Sequence, residues 1–321
     1  MLEHAWFSLI FYTIIGAVAL ELILGDPKRI PHPVIMMGKV IQRLERSLNS
    51  GRRRCLKGCA LALIVPLGAA VVAIIVLLAA YWVHPLLFLF CHMYFVWTTI
   101  AIRGLQTAAL HVYAPLREGD LLTARERLSW IVGRDTDGLN EGEIARGTVE
   151  TVAENTSDGI TAPLFWAAVG GAPLAFAYRA VNTLDSMVGY PNERYQAFGW
   201  ASARLDDAVN WLPARLTAFT MWISSWVIPG SRRILALRIT LRDAPKHPSP
   251  NGGWGEAMVA GLLGVQLGGV NMYEGEVSHR ALLGEASRPL AAADIRRTVW
   301  YMHGGWVVFT AVVLVIFIWL S

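Results

Sequence analysis

The chain has 321 residues, of which 55% are hydrophobic and only 16% charged, with a mean hydropathy of +0.43. That is too apolar for an ordinary soluble protein of this length, so composition excludes that class and predicts an integral membrane protein. The formal net charge of +4 is small and no basic stripe with interleaved aromatics occurs, which excludes a nucleic-acid partner.

An apolar run at Ala5–Leu24, broken only by Glu21, comes first. It lacks a basic leading segment and ends in GDPK without a small-residue cleavage site, so it is expected to remain as a membrane span. GDPKRIPHP follows, its prolines holding the backbone extended; Asp26 and His32 are either residues of a structural turn or site ligands. Runs at Ala60–Ala80 and Pro85–Ile102, separated by Tyr81-Trp82-Val83-His84, predict a helical hairpin with a tight turn. Three cysteines, Cys55, Cys59 and Cys91, cannot make a disulfide framework and read as inert.

Residues 103–148 read as amphipathic helices such as LLTARERLSWIV, with turns at Gly119-Asp120 and Gly133–Gly138. Apolar runs at Thr161–Tyr178 and Leu216–Ile228 flank a loop at 179–212. A basic helix, RRILALRITLRD, leads to APKHPSPNGGWGE, whose Pro and Gly density predicts an irregular loop. In the following AMVAGLLGVQLGG, Gly264 and Gly268 form a small-xxx-small step, read as close helix packing with a phosphate cradle as the alternative. Gly304–Leu320 is the last span.

The expected fold is all-α, a polytopic helical membrane protein with about 4–6 membrane-embedded helices and amphipathic cytoplasmic helices. Its expected organisation is one domain: three membrane helices in 5–102, cytoplasmic regions at 103–160 and 230–303, a membrane-embedded core at 161–229, and the last helix at 304–320. Lys and Arg number nine in 25–59, six in 103–160 and nine in 230–303, against three in 179–212. The rich loops are therefore expected in the cytoplasm, with both termini and the hairpin tip outside.

The segment from Glu150 to Arg215 carries the chemistry. Glu150, Glu154 and Asp158 fall four apart, so a helix over Gly142–Ser157 lines them along one face. Like charges at that spacing repel, and a cation, a basic ligand or facing arginines would neutralise them; Arg179, Arg194, Arg204 and Arg215 lie in the same segment. Asn155, Thr156, Ser157 and Asp158 crowd oxygen atoms together, which suits a hard cation such as Mg²⁺, with a plain helix cap as the alternative. Arg179, Asn182 and Asp185 share a helical face, as do Asp206 and Asn210. Ionisable groups beside apolar runs are functional candidates, salt bridging between helices being the plain reading. Arg134, beside Asp135 and Thr136, sits in a turn that is either a site loop or a surface Asx-turn. In PKHPSPNGG, Lys246, His247, Ser249 and Asn251 suit phosphate, although exposure alone explains them too. No P-loop or Rossmann fingerprint occurs, so a nucleotide would be held by arginines, helix N-termini and metal-bridging carboxylates.

GDP-x4-HP, the VGRDT turn, ENT-x-DG-x2-APLFW, YRAVNTLDSMVGY, GW-x2-ARLDD-x2-N-x2-PAR and RDAPKHPSPN-x-G, in this order between Gly25 and Arg297, resemble the membrane enzymes of the adenosylcobinamide-phosphate synthase family. The resemblance implies a bacterial or archaeal multi-pass membrane protein; the expected location is the bacterial cell membrane, with the site facing the cytoplasm. It implies a C–N bond-forming amide ligase of cobalamin biosynthesis. Such a ligase joins aminopropanol phosphate, or free aminopropanol, to a propionate carboxylate of adenosylcobyric acid. Other enzymes of nucleotide-loop assembly, membrane lipid and a second copy of the chain are the candidate partners.

Activation of a carboxylate calls for ATP as co-substrate and Mg²⁺ as the metal. The chemistry assigns catalysis to Glu150, Glu154, Asp158 and Asp185, and metal ligation to Glu154, Asn155, Asp158, Asn182 and Asp185. Substrate or phosphate contacts fall to Arg134, Arg179, Arg204, Lys246, His247, Asn251, Asp206 and Asp207. Two other functions compete. A CDP-alcohol phosphotransferase carries D-x2-D-G-x2-A-R, but here Asn155 stands for the first Asp and Pro163 for the Arg. A small-molecule permease would space its spans more evenly.

Overall fold

The computed structural model describes residues 2–25 and 32–320, with side chains from Trp6 onward; Asp26 lies outside the described residues. Among the described residues, five stretches are long and apolar enough to cross a membrane: Trp6–Leu24, Arg54–Val83, Pro85–Arg117, Glu141–Val188 and Ala292–Leu320. Their outward faces carry bare apolar side chains such as Leu67, Ile75 and Trp319. Lipid matches that surface and water does not, so the chain is a multi-pass helical membrane protein, as its composition predicts.

Helix α1 (Leu2–Leu24) is followed by α2 (Pro33–Leu48), which opens on His32 and Pro33, where a missing N–H costs nothing. Helix α3 (Arg54–Val83) and α4 (Pro85–Trp97) make the expected hairpin. Its turn is narrower than Tyr81–His84: α3 stays helical through Val83, and the chain reverses at His84, whose Nδ1 accepts the Leu86 N–H at 3.1 Å. The run Pro85–Ile102 is likewise not one helix. Thr98 and Thr99 donate their hydroxyls to the Phe95 and Val96 carbonyls (2.8 and 2.6 Å), competing with the helical ladder and ending α4.

Helices α5 (Ile102–Arg117) and α6 (Leu121–Ser129) follow, with Asp120 capping α6 through the Thr123 N–H at 3.1 Å. Helix α7 (Glu141–Thr156) matches the expected Gly142–Ser157 within a residue and starts from a capping box of Asn140 and Glu143. A π turn (Ser157–Thr161) runs on into α8 (Ala162–Val188), where Gly170 and Gly171 leave helical geometry. Helix α9 (Trp200–Ser224) begins well before the expected apolar run. The loop expected at 179–212 therefore shrinks to 189–199, because its polar residues sit on helices.

The remaining elements are α10 (Arg233–Asp243), a 3-10 turn (Ala244–Lys246), α11 (Gly252–Leu263), strands β1 (Gln266–Tyr273) and β2 (Glu276–Gly284), and α12 (Ala292–Leu320). Two expectations fail here. GGWGE is helical rather than loop: a Cβ at Gly253 would lie 2.5 Å from the Ala244 carbonyl oxygen, and one at Gly255 2.6 Å from that of Ala153. These glycines allow close backbone approach, and the packing gained outweighs their poor helix propensity. The Gly264/Gly268 step is not helix packing either. Gly264 (φ 67) ends α11 as a left-handed cap, and Gly268 (φ 80) occupies an irregularity in β1. The antiparallel pair, Leu267 opposite Leu283 and Tyr273 opposite Glu276, is a minor addition to an otherwise helical fold.

The chain forms two compact units. One comprises Met1–Ala101, Ala162–Asn210 and Val312–Ser321, with a core around Ile10, Leu61, Phe95 and Phe176. The other comprises Ile102–Thr161 and Trp211–Ala311, with a core around Ile144, Val152, Ile239, Leu262 and Tyr301.

Candidate active site

Within the second unit, α7 turns its acidic face toward the hairpin and the start of α11. Glu150 is buried, and both its oxygens are engaged. Arg134 donates to Oε2 at 2.5 Å, and the Gly268 N–H donates to Oε1 at 2.8 Å. Arg134 also donates to Asn271 Oδ1 (2.7 Å), an atom shared with Arg146 (3.0 Å). Arg146 further binds the carbonyls of Gly268 and Val270. Glu150 and Arg134 thus fasten the hairpin to α7, a satisfied buried ion pair in a low-dielectric setting.

One turn along, Glu154 meets α11. A Cβ placed on Gly252 would lie 3.0 Å from Glu154 Oε1 and 3.1 Å from His247 Cε1, so the missing side chain leaves a small hollow between these two residues. Glu256, one turn into α11, presents Oε1 at 3.6 Å from His247 Nε2, and both side chains are at least 95% buried. Neither atom has a hydrogen-bond partner. Burial pushes Glu256 well above the ordinary carboxylate range, and the negative charges of Glu150 and Glu154 push it further. Burial lowers His247 below its usual 6.5, against the pull of Glu154. Burial also works against the charge of Arg280, but Tyr273, whose hydroxyl accepts from it at 3.1 Å, and then Glu256, Glu154 and Glu150 hold it above its usual value. The arrangement can hold a proton, release it, and accept a small cation.

Several other predicted residues are occupied here. Lys246 pairs with Asp243 (2.7 Å), which Arg242 and the Gly284 N–H also hold. That set keeps Asp243 well below the usual range and ties α10 to β2. Asn155 donates its amide to the Thr151 carbonyl at 2.9 Å. Asp158 is half-buried in the π turn, a local geometry that recurs at functional sites. Asn251 is buried where it precedes α11. Arg215 stacks on Trp211 and Trp254.

The first unit holds a second polar cluster, on α8 and α9. Arg179 donates to Asn182 Oδ1 at 3.3 Å on the face that also carries Asp185. On α9, Asn210 donates to Asp206 Oδ2 (3.0 Å) and accepts from the Tyr178 hydroxyl (2.8 Å). Asp206 is pushed up to about 7, first by burial and then by the charge of Asp185, against hydrogen bonds from Asn210 and Asn182. Arg204 pairs on the surface with Asp207 at 3.0 Å. Arg194 pairs with buried Glu45 of α2.

Sequence reasoning passed over Glu256, Arg280, Arg146 and Asn271. Glu256 stood in the quoted GGWGE, and only the reading of that stretch as loop hid it. Glu274-Gly275, both at positive φ (52 and 81), was an available hairpin signal for the strands that carry Asn271 and Arg280.

No solved structure matches the chain. The family model described as CobD/Cbib protein matches residues 14–302. The chain is 50% identical over 290 residues to cobalamin biosynthesis protein CobD of Halalkalibacterium halodurans, covering 90% of this chain and 91% of that protein. It is 49% identical over 292 residues to the CobD protein of Geobacter metallireducens, covering 91% and 92%. Cobalamin biosynthesis protein CbiB of Salmonella typhimurium is 48% identical over 290 residues, covering 88% and 90%. Matched by the family model over residues 14–302 and by relatives 48–50% identical over about nine-tenths of its length, the chain belongs to the CobD/CbiB family.

Proposed function

We propose that the chain acts in cobalamin biosynthesis as an amide ligase, joining aminopropanol phosphate, or free aminopropanol, to a propionate carboxylate of adenosylcobyric acid to give adenosylcobinamide phosphate. Relatives covering nine-tenths of the chain are named cobalamin biosynthesis proteins. The observation that carries the reaction class is the buried, hydrogen-bond-free pair of His247 Nε2 and Glu256 Oε1 beside Glu154.

Amide formation from a carboxylate and an ammonium is uphill in water. With ATP as the energy source, a propionate oxygen attacks the γ-phosphorus and ADP leaves, giving a mixed anhydride. The free amine attacks the anhydride carbonyl carbon, the C–N bond forms, the C–O bond breaks, and phosphate departs. One ammonium proton must be removed before attack and a second leaves with the phosphate. His247 Nδ1 lies 3.1 Å from both the carbonyl oxygen and the N–H of Ser249; in the tautomer that donates to the carbonyl, Nε2 offers its lone pair for the first proton. Glu154, at the same hollow, holds the ammonium by charge, and Glu256 receives the proton's hydrogen bond. Arg280 is the guanidinium assigned to phosphate.

A hard divalent ion such as Mg²⁺ fits the oxygen-only sets Asp185, Asp206 and Asn182, and Glu154, Asn155 and Asp158. Asp206 is raised first by burial and then by the charge of Asp185, and a bound cation would offset both. Among the described residues no three His, Cys, Asp or Glu gather as a metal centre, and Mg²⁺ commonly takes only one or two carboxylates, the rest being water and phosphate. When bound, the ion would neutralise the phosphates of ATP. The distribution of Lys and Arg supports a cytoplasm-facing site in the bacterial cell membrane.

Purified protein in detergent, given adenosylcobyric acid, aminopropanol phosphate, ATP and Mg²⁺, should release ADP only when both the acid and the amine are present. Chromatography with mass detection should show adenosylcobinamide phosphate in equal amount. ADP release without the amide, or amide without ATP, overturns the scheme.

A further inference from the structure

Beside α3, helix α2 leaves a cavity of about 460 Å³. Met36, Val40 and Leu44 of α2 face Val65, Gly68 and Val72 of α3, and Phe95 and Phe176, in edge-to-face contact at 5.0 Å, line its inner wall. Every lining residue is apolar, so the space cannot pair the propionates, phosphates or ammonium of the proposed substrates. Its size suits a small ligand or a hydrocarbon chain.

The strip of α2 next to Met36 is basic. Lys39, Arg43 and Arg46 fall at i, i+4 and i+7, are all exposed, and are in no ion pair among the described residues. The one acid of α2, Glu45, is buried and taken by Arg194 at 3.0 Å. Helix α3 has 30 residues, about 45 Å at 1.5 Å per residue, whereas the hydrocarbon core is about 30 Å thick. The helix is therefore longer than the core, and the groove lies beside its middle turns, from Ile64 to Val72, with Lys39 and Arg43 of α2 at the groove's edge. The groove opens between Ile64 and Leu67, both more than half exposed, on the face of α3 that meets lipid.

We propose that the α2–α3 groove binds an anionic phospholipid, its acyl chain between Met36 and Gly68 and its phosphate against Lys39 and Arg43. An amphipathic basic helix at the membrane surface has the charge for such a headgroup, and the cavity supplies what a surface helix alone lacks, a shaped place for the chain.

Delipidated protein in detergent, titrated with phosphatidylglycerol or phosphatidylcholine and read by native mass spectrometry, tests this. Phosphatidylglycerol should bind at least about tenfold more tightly, two basic contacts being the difference. A Cβ on Gly68 meets no atom within 4 Å, and Gly68→Phe puts a ring into the groove. It should abolish retention of both lipids while the melting temperature stays unchanged. Lys39→Gln with Arg43→Gln should keep chain binding and lose the headgroup preference. Equal affinity for the two lipids in the parent, or phosphatidylglycerol bound as well by Gly68→Phe, overturns the proposal. So does a parent dimer that Gly68→Phe dissociates with lipid binding unchanged, which would make the occupant a second copy.

Discussion

The two polar clusters handle buried carboxylates differently. Around α7, Glu150 is matched by Arg134 and a backbone N–H, and only after that compensation does the structure leave His247 and Glu256 facing each other unbonded. Around α8 and α9, amides and a tyrosine surround Asp206, and its proton is held by burial and by the neighbouring Asp185. The first cluster is electrostatically settled at Glu150 and open at His247 and Glu256. In the second, burial and a neighbouring carboxylate raise Asp206, which suits the proposed cation, as the first suits the proposed proton transfer.

Breaking the settled part should have the largest effect. Arg134→Ala strands Glu150 in the interior, with an expected loss of about 3–5 kcal/mol of stability; thermal unfolding in detergent reads it. The double change Arg134→Met with Glu150→Leu should recover most of that loss, because it removes both charges together. Failure of the double variant to recover would mean that the hairpin depends on these residues for more than their ion pair.

Next comes the unbonded pair. His247→Ala and Glu256→Gln should each reduce turnover at least about a hundredfold with the fold intact. Because burial lowers His247, the acid limb of the rate profile should lie below pH 6.5. Glu154 raises His247, so Glu154→Gln should move that limb to still lower pH. A limb that moves up instead would remove His247 as the proton acceptor. Gly252→Ala, which puts a methyl group into the hollow at 3.0 Å from Glu154, should lower turnover by about tenfold. Unaltered kinetics would show that substrate does not enter there.

The smallest effect should come from the second cluster. A carboxyl held near 7 when folded and near 3.8 when unfolded binds its proton more tightly in the fold, so its contribution to stability declines as pH rises from 3.8 to about 7. Asp206→Asn should remove that decline and melt slightly higher than the parent at pH 8. Mg²⁺ should raise the parent's melting temperature at pH 8 and leave that of Asp206→Asn unchanged. Equal responses of the two would take Asp206 out of any metal site.

Much of the helical plan was legible because 3.6-residue periodicity and long apolar runs report directly on burial. Helix α7, with Glu150 and Glu154 on one face, and the shared faces of Arg179, Asn182, Asp206 and Asn210 followed from spacing alone. The start of α11 did not, since Pro and Gly usually end helices. Here Gly253 and Gly255 serve contacts with Ala244 and Ala153, residues that only the folded chain brings near. The role of Glu150 was hidden for the same reason, as its partners at Arg134 and Gly268 lie on a turn and a strand that local pattern cannot pair.

The hairpin clamp also bears on how the protein is made. Asp135 accepts the N–H groups of Glu274 (3.1 Å) and Gly275 (2.9 Å), and its own N–H donates to the Met272 carbonyl at 2.8 Å. The bond from Gly268 to Glu150 closes 118 residues of chain, which a ribosome takes roughly 6–24 s to add at ordinary elongation rates. For that interval α7 has been synthesised but its acidic face lacks its lid, and no local substitute exists in the sequence between them. Assembly of this site is therefore a late event in biogenesis, and a ribosome stalled before β1 would leave a chain with its membrane helices largely complete and its chemistry absent.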